Sequence, residues 1–126
     1  MIFIGLGIDL VEVQRVRALL AKAPEDFLAG NLTAGERDAG GEIADPAPYY
    51  AGRWAAKEAV AKALGLGMSD GITPQDIEVQ NTGSGKPIVI LSGRALEIAQ
   101  NAGVTHWMLS ISRTEAFAIA NAIALG

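Results

Sequence analysis

One long helix sets the frame for this chain. The segment PAPYYAGRWAAKEAVAKAL, Pro46 to Leu64, reads as a helix opened by Pro46 and closed by the glycine-punctuated run GLG that follows it, because proline fits a first helical turn and glycine ends a last one. Whatever the fold, other elements must pack around a rod of about five turns. Along that rod Arg53, Trp54, Lys57, Glu58 and Lys62 stand among alanines. At about 100° per residue, Trp54, Glu58 and Lys62 share an arc of roughly 80°, while Arg53 and Lys57 make a second stripe. Spacing alone reads Glu58 and Lys62 as an ordinary i,i+4 surface pair of small energetic weight.

The chain has 126 residues, half of them hydrophobic. That is the length of one unit, 1–126, with a modest core, and chains of this size often gain stability by assembling. There is no cysteine and a single histidine, His106, so a disulfide framework, a thiolate zinc site and a multi-histidine metal site are excluded, and any metal must be held mainly by oxygen. The opening MIFIGLGIDLVEV is apolar but has no basic leader and is interrupted by Asp9, and no later apolar run reaches the roughly 20 residues needed to span a bilayer. A cytoplasmic, soluble protein with no membrane partner is expected. Ten Lys and Arg against fourteen Asp and Glu give a net charge of −4, which argues against nucleic-acid binding over a broad basic surface. Local basic patches must do any anion binding.

No repeat, low-complexity tract or dividing linker interrupts the chain. MIFIGLGIDL has strand character, with Ile4, Leu6, Ile8 and Leu10 on one side and Gly5, Gly7 and Asp9 on the other, so that Asp9 follows glycines that leave space beside it. Residues from about Val11 to Ala23 look helical and end at Pro24; Thr33 with Glu36 forms a capping-box pattern for another short helix. GLGMSDGITPQD is a loop leading to the strand DIEVQ, NTGSGKP is a turn, IVIL is a strand, and a helix runs from about Ser92 to Ala102. Two alternating strands, WMLSIS and AFAIANAIAL, finish the chain. In the last, Phe117, Ile119 and Ile123 share one face and alanines the other, so both faces are suited to being covered. The fold class read from this order is α+β with mostly antiparallel pairing.

GIDLVEVQRV at Gly7–Val16, RWAAKEAVAKALG at Arg53–Gly65, GKP at Gly85–Pro87 and LSIS at Leu109–Ser112, in this order and spacing, resemble the holo-acyl carrier protein synthase family of 4′-phosphopantetheinyl transferases over nearly the whole chain. Trp54, Lys57, Glu58 and Lys62 meet the wider superfamily's pattern W-x-x-K-E-x-x-x-K. GRWAAKEAV and NLTAGE also look like transferase domains attached to type I fatty acid synthases. The resemblance implies a mostly antiparallel sheet packed with the long helix, in a homotrimer with active sites between subunits. The activity implied is transfer of 4′-phosphopantetheine from coenzyme A to a serine of an apo acyl carrier protein, or of a carrier domain of a fatty acid synthase. The products are the holo form and adenosine 3′,5′-bisphosphate, in support of fatty acid biosynthesis.

By the same resemblance Asp9 and Glu58 are the magnesium ligands, and the residue types suit that role: a hard divalent cation bridging a pyrophosphate needs only one or two carboxylates and keeps its waters. For Asp9 a helix N-cap after a strand is the competing account. Lys62 is expected to bind the phosphate being transferred or to stabilise its departure, while Glu58 or a metal-bound water accepts the serine proton. Arg53, Lys57, Lys62, Gly65, Lys86, Pro87, Ser110 and Arg113 are the expected coenzyme A-binding positions. One segment departs from the family's usual H-V-S-[IL]-[ST]-H: this chain has Met108, Leu109, Ser110, Ile111, Ser112 and Arg113, with both histidines missing. His106 lies two residues before Met108, on the same strand face, and Arg113 remains suited to a phosphate.

Carrier proteins are acidic, so an acidic enzyme needs a local basic docking surface. On the helix after Asp9 the residues Arg15, Leu19 and Lys22 follow i, i+4, i+7 spacing, and the family's first helix docks its carrier. Arg17, about 140° from Lys22 on the helix wheel at the same step of about 100°, is a weaker candidate. Two readings from other classes stay open at this point: a non-catalytic carrier-docking module, suggested by the absent histidines, and a metal-dependent hydrolase of a coenzyme A-like pyrophosphate.

Overall fold

The computed structural model describes residues 1–68 and 71–126. Ser69 and Asp70, in the middle of the expected loop GLGMSDGITPQD, lie outside the described residues. The elements run β1 (Phe3–Glu12), α1 (Val13–Lys22), α2 (Pro24–Asn31), α3 (Ala34–Gly41), α4 (Ala47–Ala63), a 3-10 turn at Pro74–Asp76, β2 (Ile77–Asn81), β3 (Pro87–Leu91), α5 (Gly93–Asn101), β4 (His106–Arg113) and β5 (Phe117–Leu125). The class is α+β, as expected, and every described strand pair is antiparallel. The strands do not form one sheet. β1, β5 and β4 make a three-stranded sheet with β5 in the centre, and β2 with β3 makes a separate hairpin.

The long helix α4 lies across the three-stranded sheet. Its Ala51, Ala55, Ala56, Ala59 and Val60 are fully buried, and so are Ala118, Ala122 and Ala124 of β5. Small side chains on both surfaces let backbone approach backbone. The approach is closest at β1, where a Cβ on Gly5 would overlap the carbonyl oxygen of Ala63 and one on Gly7 that of Ala59. The two glycines are required by that contact and not by their dihedral angles. The strand's alternation therefore resolves opposite to hydrophobicity: Leu6, Ile8 and Leu10 are 55–60% exposed while Gly7 is buried. With Met108, Phe117 and Ile119, also exposed, they make one apolar outer face of the sheet.

Two boundaries differ from the sequence reading. Val11 and Glu12 belong to β1, paired with Ala118 and Phe117, so helix α1 begins at Val13. Pro24 closes α1 and also opens α2, with Glu25 and Asp26 in the new first turn, where the positive end of the helix favours carboxylates. The capping box at Thr33 and Glu36 is present: the Thr33 amide donates to Glu36 Oε1 at 2.9 Å and the Glu36 amide to Thr33 Oγ1 at 3.3 Å. Among the described residues no helix is long and apolar enough to cross a membrane.

Candidate active site

The contact of β1 with α4 delivers the site. Asp9 lies two residues beyond Gly7 on the glycine side of β1, facing α4, and across the ladder its Cα partner is Ala120. Its side chain is 18% exposed and accepts from Lys62 Nζ at 3.1 Å; the same ammonium donates to the Ile8 carbonyl at 3.0 Å. Lys62 thus pairs across elements with the strand and not with Glu58 on its own helix. The surface-pair reading of Glu58 and Lys62 is replaced by an interelement clamp that leaves the Lys62 side chain 51% exposed.

Glu58 is half-buried one turn before Lys62. Burial pushes its carboxyl above the ordinary glutamate range and the Asp9 charge pushes the same way, opposed by the Trp54 side chain and by the Lys62 ammonium. Asp9 and Glu58 line one cleft of about 220 Å³ with Leu10, Val11, Arg15 and Trp54. The Arg15 guanidinium sits over the Trp54 ring, 4.9 Å from its centroid. Sequence reasoning placed Arg15 on a docking stripe and missed this stack, because the two residues are far apart in sequence and no local spacing links them.

The second stripe of α4 points elsewhere. Lys57 is 1% exposed and pairs with an equally buried Glu36 at 2.5 Å, and it donates to the Pro74 carbonyl at 2.8 Å. Glu36 also accepts from the Val79 amide at 2.8 Å. Burial pulls the Lys57 ammonium below its usual value, and the Glu36 carboxylate opposes this. Arg53, also buried, donates to Asn81 Oδ1 at 2.9 Å and stacks on Tyr49 at 4.5 Å, while its Nε has no hydrogen-bond partner. Arg53 borders a cleft of about 360 Å³ between α3, α4 and β2. The structure thus brings Asp9, Glu58 and Lys62 together and sets Arg53 and Lys57 on the other side of the helix.

Lys86 and Ser110 line a common cleft of about 150 Å³ with Met108, Leu109, Asn121 and Ile123, and Pro87 follows Lys86 as the first residue of β3. Gly65 has φ of 79°, with no neighbour where a Cβ would stand, and its amide closes the end of α4 on the Lys62 carbonyl. Arg113, at the end of β4, lays its aliphatic stem against α4 at Gly52. His106 is exposed and its Nδ1 meets Thr105 Oγ1 at 2.9 Å. Of the expected docking stripe, Lys22 is exposed but Leu19 packs against the core, because α1 turns that edge towards the molecule. Arg17 is engaged by Asp45 at 2.6 Å.

The site's oxygen donors are two. Among the described residues no group of three or more His, Asp or Glu stands together, so a divalent cation here would take Asp9, Glu58 and otherwise water or ligand oxygen. That donor set suits a hard cation, whose charge relieves the repulsion between the two carboxylates.

Comparison with known proteins converges on one family. The family model described as the 4′-phosphopantetheinyl transferase superfamily matches residues 5–122. A holo-[acyl-carrier-protein] synthase of Hydrogenovibrio crunogenus is 40% identical over 121 residues, covering 96% of this chain and 95% of its own. Among solved structures, the holo-[acyl-carrier-protein] synthase from Neisseria meningitidis superposes with a TM-score of 0.90 at 31% identity, covering 99% of this chain and 100% of that one. The Helicobacter pylori synthase, solved in complex with coenzyme A, gives a TM-score of 0.84 at 27% identity, covering 95% of this chain and 99% of that one. With residues 5–122 matched, from β1 into β5, the chain belongs to the 4′-phosphopantetheinyl transferase superfamily.

Proposed function

We propose that residues 1–126 act as a single holo-acyl carrier protein synthase domain, moving 4′-phosphopantetheine from coenzyme A to a serine of an apo acyl carrier protein or carrier domain. Adenosine 3′,5′-bisphosphate is the other product, and the setting is cytoplasmic fatty acid biosynthesis. The observation that carries the reading is the convergence of Asp9 and Glu58 from two elements onto one cleft, with Lys62 paired to Asp9. Its support from outside the molecule is that the similar proteins are named for this activity and one was solved with coenzyme A.

Asp9 and Glu58 are suited to hold Mg²⁺, which when bound supplies charge neutralisation at the pyrophosphate. Glu58, which lines the cleft beside Asp9, is placed to take the serine proton. Lys62 Nζ donates to the Ile8 carbonyl and to Asp9 while its side chain stays half-exposed, which leaves its third N–H for the phosphate as it leaves its old oxygen. Gly65, Lys86, Pro87, Ser110 and Arg113 remain the proposed coenzyme A contacts with Lys62. Arg53 joins them as a residue bordering the cleft between α3, α4 and β2, whereas Lys57, enclosed by protein, serves that pocket by fixing the helix that borders it. The apolar outer face of the sheet supports a homotrimer, in which a neighbour would cover Leu6, Ile8, Leu10, Phe117 and Ile119.

The deciding experiment incubates the chain with magnesium, coenzyme A and an apo carrier protein, then weighs the carrier. A mass gain of one phosphopantetheine is expected, lost on chelation and lost in Asp9→Ala and Glu58→Ala chains that still melt cooperatively. Consumption of coenzyme A without carrier modification would mean hydrolysis; binding without either would mean a docking module. A monomer mass by light scattering at working concentration would overturn the trimer.

A further inference from the structure

Arg15 shares a cleft with two carboxylates and pairs with neither. Asp9, Glu58, Arg15 and Trp54 line the same space of about 220 Å³. Arg15 stands in the first turn of α1 and is exposed, and a long cationic side chain beside two anions is drawn towards them. Among the described residues it nevertheless forms no ion pair. Asp9 gives its Oδ1 to Lys62, and the Arg15 guanidinium lies over the Trp54 ring, 4.9 Å from its centroid. The core holds that ring in place, since the buried Phe27 packs edge-on against it with centroids 5.8 Å apart and an interplanar angle of 69°. At an exposed site a cation over an indole face gains about as much as a surface ion pair does, so a ring fixed by its own packing is enough to decide where Arg15 rests.

We propose that Trp54 is a positioning residue that holds the Arg15 guanidinium off Asp9 and Glu58 and so keeps their oxygens open to a divalent cation. The inference rests on the transferase reading, in which these two carboxylates take Mg²⁺, and deepens it. A guanidinium forks onto a carboxylate through two parallel N–H bonds and occupies both oxygens. With one Asp9 oxygen already given to Lys62, such a fork on Glu58 would leave Asp9 Oδ2 as the one carboxylate oxygen in the pair free of a protein cation. That is too little for a hard cation held by two side chains and water. The Trp54 face takes the same guanidinium through its π electrons and uses no oxygen. Arg15 therefore stands at the cleft, ready for an acidic partner, without closing the place of the metal.

The test titrates Mn²⁺ into the full chain alone and reads the bound ion by electron paramagnetic resonance, with no carrier and no coenzyme A. The parent is expected to bind, and Asp9→Ala to lose the binding. Trp54→Leu removes the platform and is expected to weaken Mn²⁺ by about three- to tenfold, the scale of a charge-assisted contact competing for the same oxygens. Adding Arg15→Ala to Trp54→Leu should restore binding to within about twofold of the parent. Both chains carry the same loss against Phe27, so a folding defect cannot separate them. Trp54→Phe keeps a ring with a weaker face and should fall between. Parent-like binding in Trp54→Leu, a double variant no tighter than the single one, or no binding by the parent that depends on Asp9 would each overturn the proposal. The stack itself is read in a Trp107→Phe chain, where Trp54 is the remaining indole: Arg15→Ala should move its emission maximum, and an unmoved maximum would equally overturn the proposal. If the Mn²⁺ pattern holds while the parent modifies no carrier, the proposal stands and it is the transferase reading that has failed.

Discussion

Helix α4 carries two lysines five residues apart, each held by one carboxylate and one backbone carbonyl, and they differ in exposure, 1% against 51%. Lys57 is enclosed, paired with a carboxylate as buried as itself and capped by a backbone carbonyl. Lys62 is half in water, leaning on Asp9 and the Ile8 carbonyl at the edge of a cleft. A pair only 1% exposed is closed to a ligand; it fixes how α3, α4 and β2 meet. A half-exposed lysine held at one end keeps a donor in reserve. The lysine suited to chemistry is thus the one with the weaker contacts.

The contrast breaks most sharply in turnover. Lys62→Met is expected to cut transfer by about two to four orders of magnitude, the range of an electrostatic or proton-handling group, while stability moves by about 0–1 kcal/mol because the pair is exposed. A turnover within threefold of the parent would return Lys62 to the surface. Lys57→Met should do the reverse, costing about 3–5 kcal/mol in denaturant unfolding by leaving Glu36 charged and alone in the core. Pairing it with Glu36→Leu should recover part of the loss, since no orphaned charge then remains; a double variant worse than the sum would show that Glu36 matters more through Thr33 and Val79 than through Lys57.

Smaller effects refine the picture at each end. Arg15→Glu with Lys22→Glu, on the open side of the molecule, should raise the carrier's Michaelis constant several-fold and flatten its salt dependence, with the coenzyme A constant nearly fixed. A parallel rise in both constants would mean that α1 supports the site and does not read the carrier. On the closed side, hydrogen bonds from Thr33 and Gln80 hold the Glu78 carboxyl below its ordinary value of 4.5, with Lys57 adding to the effect. A carboxylate whose folded value is depressed contributes stability above its unfolded value and loses it as pH falls through the folded one. Glu78→Gln should therefore lose less stability than the parent between about pH 5 and pH 3, a small difference seen in thermal melts across that range. Equal slopes would show that Glu78 exerts no linkage.

What the sequence made legible follows local rules. The proline and glycine bounding α4 and the Thr33–Glu36 box depend on contacts within a few residues, and the structure has them. Asp9 and Glu58 lining one cleft was legible through the resemblance of whole motifs, not through spacing, since β1 and α4 are far apart in the chain. Three features were not legible. The buried side of β1 is its glycine side, because the fit against α4 is decided by volume and Leu6, Ile8 and Leu10 are too large for it. The partner of Lys57 is Glu36, which the local pattern assigns wholly to a cap. Pro24 both stops one helix and starts the next, and a proline signal alone does not say which.

The glycine and alanine seam between β1 and α4 bears on temperature. Gly5, Gly7, Ala59 and Ala63 have no side-chain rotamers to lose on folding, so the contact that sets the spacing of Asp9 from Lys62 is made without that entropic opposition. It also has none to regain on warming. Side chains elsewhere in the core hop between rotamers more freely as heat is supplied, but a junction built from backbone and methyl groups has no comparable freedom. The spacing between the backbones of β1 and α4 beneath the site should therefore drift less with temperature than the rest of the molecule, until the fold itself gives way.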